Sequence, residues 1–141
     1  MTDRDKQRLS GVHPTLIAKL DHILTVMAAT GHTMMVVQGL RTAQEQRTLY
    51  AKGRTTPGPN ARPGKPLGDV VTMKDGIVHK SNHQARTDGL GHAVDCAFAG
   101  VPDPFADHHP WEQYGKLAET AGLRWGGRWS HPHDSPHVEL A

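Results

Sequence analysis

At 141 residues the chain can build one domain with a real core, and is too short for two comfortable ones. Its 21% charged and 36% hydrophobic residues are ordinary for a soluble globular protein, and a formal charge of +2 is too small to argue for nucleic acid. One cysteine, Cys96, excludes an intrachain disulfide, and the apolar stretch 16–29 is interrupted by Lys19, Asp21 and His22, so membrane insertion is not expected.

The first fourteen residues carry charge but no apolar run of signal-peptide length, so a soluble, cytosolic chain is expected. Residues 14–30 predict an amphipathic helix: Pro14 suits its first turn, Leu16, Leu20, Ile23, Leu24 and Met27 recur at helical spacing, and Gly31 stops it. Residues 34–37 read as a short buried strand. Thr42 and Glu45 have the spacing of a capping box, opening a second helix to about Lys52. The Gly- and Pro-rich stretch 53–68 is a loop. Residues 70–72 are expected as a strand, and Asp75-Gly76 as a tight turn.

Residues 93–98 predict a strand with informative parity. Val94, Cys96 and Phe98 share a core-like face; Ala93, Asp95 and Ala97 share a small face that carries one acid. An acid on that small face of an otherwise apolar strand calls for a partner. A third helix is expected over about 110–121. The last strand, 137–140, repeats the alternation, with Val138 and Leu140 inward and His137 and Glu139 opposite. About three helices and a small antiparallel sheet, without regular alternation, make the fold class α+β in a single domain over residues 1–141.

Eleven histidines raise the prior for metal or proton chemistry, and position has to select among them. A hydrolytic zinc site needs three His or carboxylate ligands, an open fourth position, a nearby carboxylate base and a donor for the developing oxyanion. Two segments offer such parts: Ser81-Asn-His83 followed by Gly91-His-Ala-Val-Asp95, and Asp134-Ser-Pro-His137. His22, His108, His109, His131 and His133 are read as surface residues, and Cys96 as a small core residue.

These motifs resemble those of the zinc peptidases related to D-alanyl-D-alanine carboxypeptidases, nearest in pattern to the L-alanyl-D-glutamate endopeptidases found as phage endolysins and wall hydrolases. Val12-His-Pro14, Gln38-Gly-Leu-Arg41, Gln46, Leu49-Tyr50 and Trp125-Gly-Gly127 occur in the same order, so the likeness covers nearly the whole chain. It implies the D-Ala-D-Ala metallopeptidase and hedgehog-like fold, with His83, Asp95 and His137 as ligands of a zinc ion. It further implies Asp134 as general base, Arg41 as a catalytic and substrate-binding cation, and Ser81 as either a support behind the ligands or a substrate contact; Trp125 is read as a substrate contact. For Trp125, as for Trp129, covering the core is the equal alternative.

The implied substrate is the peptidoglycan stem peptide, cut between L-Ala and D-Glu. The implied setting is a monomeric phage endolysin, without a separate wall-binding domain, that waits in the host cytoplasm. A D-alanyl-D-alanine carboxypeptidase or dipeptidase, or a non-catalytic zinc module of the same fold, are the other readings. One departure from the family pattern is visible: extra residues between His83 and Asp95 bring His92 closer in sequence to the acid. Strand parity turns His92 away from Asp95, and a longer loop returns His83 at small entropic cost, so His83 is the expected ligand and His92 the alternative.

Overall fold

The computed structural model describes residues 1–77, 79–130 and 133–141; His131, read from sequence as a surface residue, lies outside them. In chain order the elements are α1 (Asp3–Arg8), α2 (Pro14–Ala29), β1 (Met34–Gln38), α3 (Ala43–Ala51), β2 (Ala93–Phe98), α4 (Trp111–Thr120), β3 (Leu123–Trp125), a 3-10 turn (Gly126–Arg128) and β4 (His137–Leu140). The strands form one antiparallel sheet in the order β1-β2-β4-β3, the α+β arrangement expected.

One face of the sheet is covered by α2 and α4. Leu16, Leu20, Ile23 and Met27 of α2 and Tyr114 and Ala118 of α4 meet Val36, Val94, Cys96 and Val138, all closed to solvent. Burying each large aliphatic side chain contributes about 1.5–3 kcal/mol. The predicted parity of β2 and β4 holds, so Asp95, His137 and Glu139 emerge together on the opposite face. Asp95 stands directly across from His137 in the β2–β4 ladder, and Ala93 across from Glu139. A bulge between Val36 and Gln38 then sets Gln38 opposite Asp95, bringing a fourth polar side chain to the same place.

Caps explain several boundaries. His13 caps α2 through Nδ1, which accepts from the Thr15 amide at 3.1 Å, and Pro14 begins the helix. Both hydrogen bonds of the Thr42–Glu45 box are present in α3. Gly31 follows α2 at φ +87, in the left-handed region that suits glycine.

Two expectations need correction. Four helices form, α1 in addition to the three expected. Its Thr2–Asp5 capping box is local, but its anchor is tertiary: buried Asp5 accepts from the Val36 amide at 2.8 Å and Arg8 donates to the Val36 carbonyl at 2.7 Å. These side chains satisfy the outer edge of β1 as a further strand would. Residues 70–72 form no strand. Val70 is 45% exposed, and no neighbouring strand offers this segment a hydrogen-bond ladder. No helix among the described residues is long and apolar enough to cross a membrane.

The Trp125 ring is gripped between two glycines. A Cβ on Gly115 of α4 would lie 2.2 Å from the ring, and one on Gly127 2.1 Å from it. In an open helix, Gly→Ala gains up to about 1 kcal/mol. Here overpacking is expected to reverse the sign. Gly115→Ala should lower stability by roughly 1–3 kcal/mol, seen as a reduced Tm in thermal unfolding. A variant that melts at or above the parent temperature would contradict this packing.

Candidate metal centre

The three sequence-predicted ligands meet. His83 Nε2 lies 3.1 Å from His137 Nδ1 and 3.3 Å from Asp95 Oδ1, and His137 Nδ1 lies 3.2 Å from the same Asp95 oxygen. Asp95 and His137 come from paired central strands, which makes their spacing a property of the sheet. His83 comes from a loop tied at several points. Its carbonyl accepts from the Arg41 amide at 2.7 Å, its amide donates to Ser81 Oγ at 3.2 Å, and the next turn is held by the His92 amide on the Asn82 carbonyl.

The far side of each imidazole determines what the near side offers. His83 Nδ1 faces the Gly39 carbonyl at 3.0 Å, so it carries the N–H. His137 Nε2 faces the buried carboxylate of Glu139 at 2.8 Å and does the same. The inward His83 Nε2 and His137 Nδ1 are then both lone pairs, and Asp95 Oδ1 is a third. Three acceptors at this separation repel one another unless a cation lies among them.

Zinc suits that requirement. Tetrahedral ligands at about 2.0–2.1 Å from the ion stand roughly 3.3 Å apart, close to the triangle found here. Two imidazoles and one carboxylate leave a fourth position, and each imidazole has the outward hydrogen bond typical of a metal ligand. Among the described residues, His83, Asp95 and His137 are the group able to hold a metal ion. His92 is not brought to this point: it pairs with Asp88 at 2.7 Å and packs edge-on against His13.

A proton can partly replace the metal, and the electrostatics say where. Burial alone would raise Asp95, but the adjoining His137 and His83 rings hold it well below the usual carboxylate range. Burial would lower His137, yet its hydrogen bonds to Asp95 and Glu139 raise it to about 9. Asp134 moves the other way. Burial and the adjacent Asp95 charge raise its pKa, and its Oδ2 lies 3.8 Å from His137 Nδ1. With its side chain 38% exposed, Asp134 also remains open to the cleft.

The segment carrying Asp134 and His137 is held by buried aromatic groups. Trp125 Nε1 donates to the Ser135 carbonyl at 2.8 Å, and the Tyr114 hydroxyl to the Pro136 carbonyl at 3.1 Å. The Asp134 amide donates to the Gly126 carbonyl at 3.0 Å, where any Cβ on Gly126 would collide with the Asp134 backbone. Trp125 is therefore not the substrate contact expected. It is 4% exposed within the core and acts by anchoring the 134–137 turn, whereas Trp129 lines the cleft.

The cleft over the site has a volume of about 880 Å³. Arg41 lines it, tethered through Nη1 to Gln46 Oε1 at 2.6 Å and through Nη2 to Gln38 Oε1 at 3.3 Å, with Asp95 Oδ2 3.9 Å away. Burial lowers its pKa and Asp95 partly offsets this; no plausible shift discharges a guanidinium. Ser81 also borders the cleft, but its hydroxyl accepts from His83, so it shapes the ligand loop. Three residues of the site went unassigned in the sequence reading: Glu139, Asn82 and Arg86. Parity put Glu139 on the face of His137, which was the available signal.

A family profile described as D-alanyl-D-alanine carboxypeptidase matches residues 76–140, the segment holding all three donors and Asp134. The chain is 27% identical over 137 residues to the peptidoglycan L-alanyl-D-glutamate endopeptidase CwlK of Bacillus subtilis (strain 168), covering 93% of this chain and 74% of that protein. The solved L-Ala D-Glu endopeptidase ChiX of Serratia marcescens has a TM-score of 0.63 and 25% identity, over 100% of this chain and 89% of its own. The vancomycin-resistance D,D-pentapeptidase VanY, solved in complex with Zn(II), shares the fold at a TM-score of 0.60 and 15% identity, over 92% and 72%.

Loss of the Glu139 carboxylate frees the His137 ring to turn and to change tautomer. Glu139→Ala should weaken zinc binding roughly 10–100-fold in competition with a chromogenic chelator; unchanged affinity would remove Glu139 from this role. A second expectation concerns protein stripped by chelation. The folded pKa of His137, about 9, lies above the unfolded value of about 6.5. Its contribution to stability is therefore complete below about pH 6.5 and lost as pH rises through 9. The Tm of chelated protein should fall across that window, more steeply than that of zinc-loaded protein; parallel curves would contradict the assignment.

Proposed function

We propose that this chain, a relative of the D-alanyl-D-alanine carboxypeptidase-like peptidases in sequence and in fold, is a zinc-dependent endopeptidase that hydrolyses the L-Ala–D-Glu bond of the peptidoglycan stem peptide. The observation that carries the reading is the convergence of three lone pairs from His83, Asp95 and His137 at 3.1–3.3 Å, beside the carboxylate of Asp134. The two relatives CwlK and ChiX, each bearing that activity in its name, supply the choice of bond.

Zinc held by these three side chains would supply Lewis-acid polarisation of the peptide carbonyl and a lowered pKa for attacking water. The remaining work falls to the protein. Asp134 is placed to take the proton of that water as it adds to the L-Ala carbonyl carbon. Its raised pKa then suits it to return the proton to the D-Glu nitrogen as the C–N bond breaks. Arg41, fixed by Gln46 and Gln38, offers a permanent positive charge to the oxygen on which negative charge develops. Gln46 steadies the opposite cleft wall as well, since its amide donates to the Lys74 carbonyl at 2.7 Å.

The family profile supports a second reading, removal of terminal D-Ala, and the product separates the two. Digestion of purified peptidoglycan is expected to release new D-Glu amino termini by mass spectrometry; free D-Ala instead would establish the carboxypeptidase. Asp134→Asn should retain zinc while turnover falls about 10²–10⁴-fold. Undiminished turnover would remove Asp134 as base, and loss of both zinc and turnover would make it structural. In this reading the protein serves host lysis as a phage endolysin, reaching the wall once the membrane is opened. Support for that setting is the sequence resemblance to endolysins.

A further inference from the structure

The loop that departs from the family pattern, residues 84–92, is built rather than slack. The Arg86 amide donates to the Leu90 carbonyl at 2.9 Å, and the Gly89 amide to the Arg86 carbonyl at 2.8 Å, with Gly89 at φ +79. Asp88 accepts from the Leu90 amide at 3.0 Å and pairs with His92 at 2.7 Å, which pins the far end. The result projects the exposed Arg86 onto the cleft, where it lines the same space as His137, Glu139 and Asp134.

Arg86 is aimed by a short relay. Its Nη1 donates to Asn82 Oδ1, the Asn82 amide donates to Glu139 Oε2, and the other oxygen of Glu139 accepts from His137. Asn82 is neutral, so the guanidinium charge is oriented without being cancelled, and among the described residues it forms no ion pair. Most of its five N–H groups stay free for a planar anion. The cleft as a whole points the same way: five Lys and Arg side chains line it against three carboxylates, a +2 difference before any metal is added.

Resting on the endopeptidase reading above, we infer that Arg86 is a specificity-determining residue that binds the free carboxylate of the D-Glu residue beside the scissile bond. A glutamyl residue joined to its neighbours by two amides keeps one further carboxyl, which is either ionised or amidated. The ionised form can accept two parallel hydrogen bonds from a guanidinium; the amide has one carbonyl acceptor, and its NH2 opposes the second donor. Arg86 therefore selects the unamidated stem peptide.

The test uses two soluble stem peptides whose L-Ala–D-Glu amide is replaced by a methylene-amine, so that no turnover enters. They differ in whether the D-Glu carboxyl is free or amidated. Calorimetry on the zinc-loaded full chain should show the free form binding about tenfold more tightly, a preference that Arg86→Gln abolishes and Arg86→Lys partly restores. Zinc affinity measured by chelator competition should be unchanged in Arg86→Gln. Equal binding of the two peptides by the parent, or a preference that survives Arg86→Gln, overturns the inference. So does reduced zinc affinity in that variant, because Arg86 would then be a support for Asn82 and Glu139. A parent that binds neither peptide defeats the underlying substrate reading, an outcome distinct from equal binding.

Discussion

Three electron-pair donors held within 3.3 Å of one another, on the cleft side of a four-stranded sheet, are the constraint around which the molecule is arranged. Left alone they are mutually repulsive, and two of the three side chains are buried. Their orientation is nevertheless enforced from outside. The Gly39 carbonyl takes the proton-bearing side of one imidazole and Glu139 takes that of the other. A polar cluster so determined is costly when unfilled and favourable when a cation enters. Any metal affinity of this cluster would thus be coupled to folding stability through the same contacts.

The fold divides this task by rigidity. Two donors lie across from each other on β2 and β4, where main-chain pairing limits movement. The acid expected to move protons sits on a turn, but that turn is anchored by four separate backbone contacts, from Gly126, Trp125, Tyr114 and Cys96. The aromatic residues have two roles. Their rings fill the core beside α4 and their polar ends hold the carbonyls of Ser135 and Pro136, so core packing positions the site directly. The small residues of Trp125-Gly-Gly127 belong to the same device, since Gly126 and Gly127 allow backbone and indole to approach within contact distance.

What could be read from the chain before folding was whatever local chemistry or strict periodicity encodes. Helix α2 announces itself by spacing, α3 by its capping box, and β2 and β4 by an alternation strong enough to put Asp95 and His137 on one face. Motif resemblance then pointed to His83, strand parity set aside the nearer His92, and the geometry brings His83 to the other two. The failures are equally physical. Helix α1 has six residues, and its decisive bonds run to Val36, 31 and 28 positions away. The strand expected at 70–72 had suitable residues but no partner edge. Trp125 was open between cleft and core, and its burial against the glycines on either side of its ring decides for the core. Glu139 shared a face with His137 in the pattern, but its role depends on which nitrogen it meets, and spacing does not encode that.

The loop 84–92 ties these threads together. In sequence it separates His83 from Asp95 and obscures the ligand assignment; in space the added length barely matters, since closure cost grows only logarithmically. A compact turn would suffice to deliver His83. The longer one delivers a cation as well, and connects it through Asn82 to the carboxylate that orients His137. An anion docking on Arg86 would therefore bind beside the ligand cluster, not at a remote subsite. Because Asn82 is an amide, the relay transmits orientation while keeping the positive and negative charges apart. A lysine or aspartate at position 82 would collapse that separation, neutralising either Glu139 or Arg86. A neutral residue between two charged ones would let anion recognition and metal binding share one wall of the cleft.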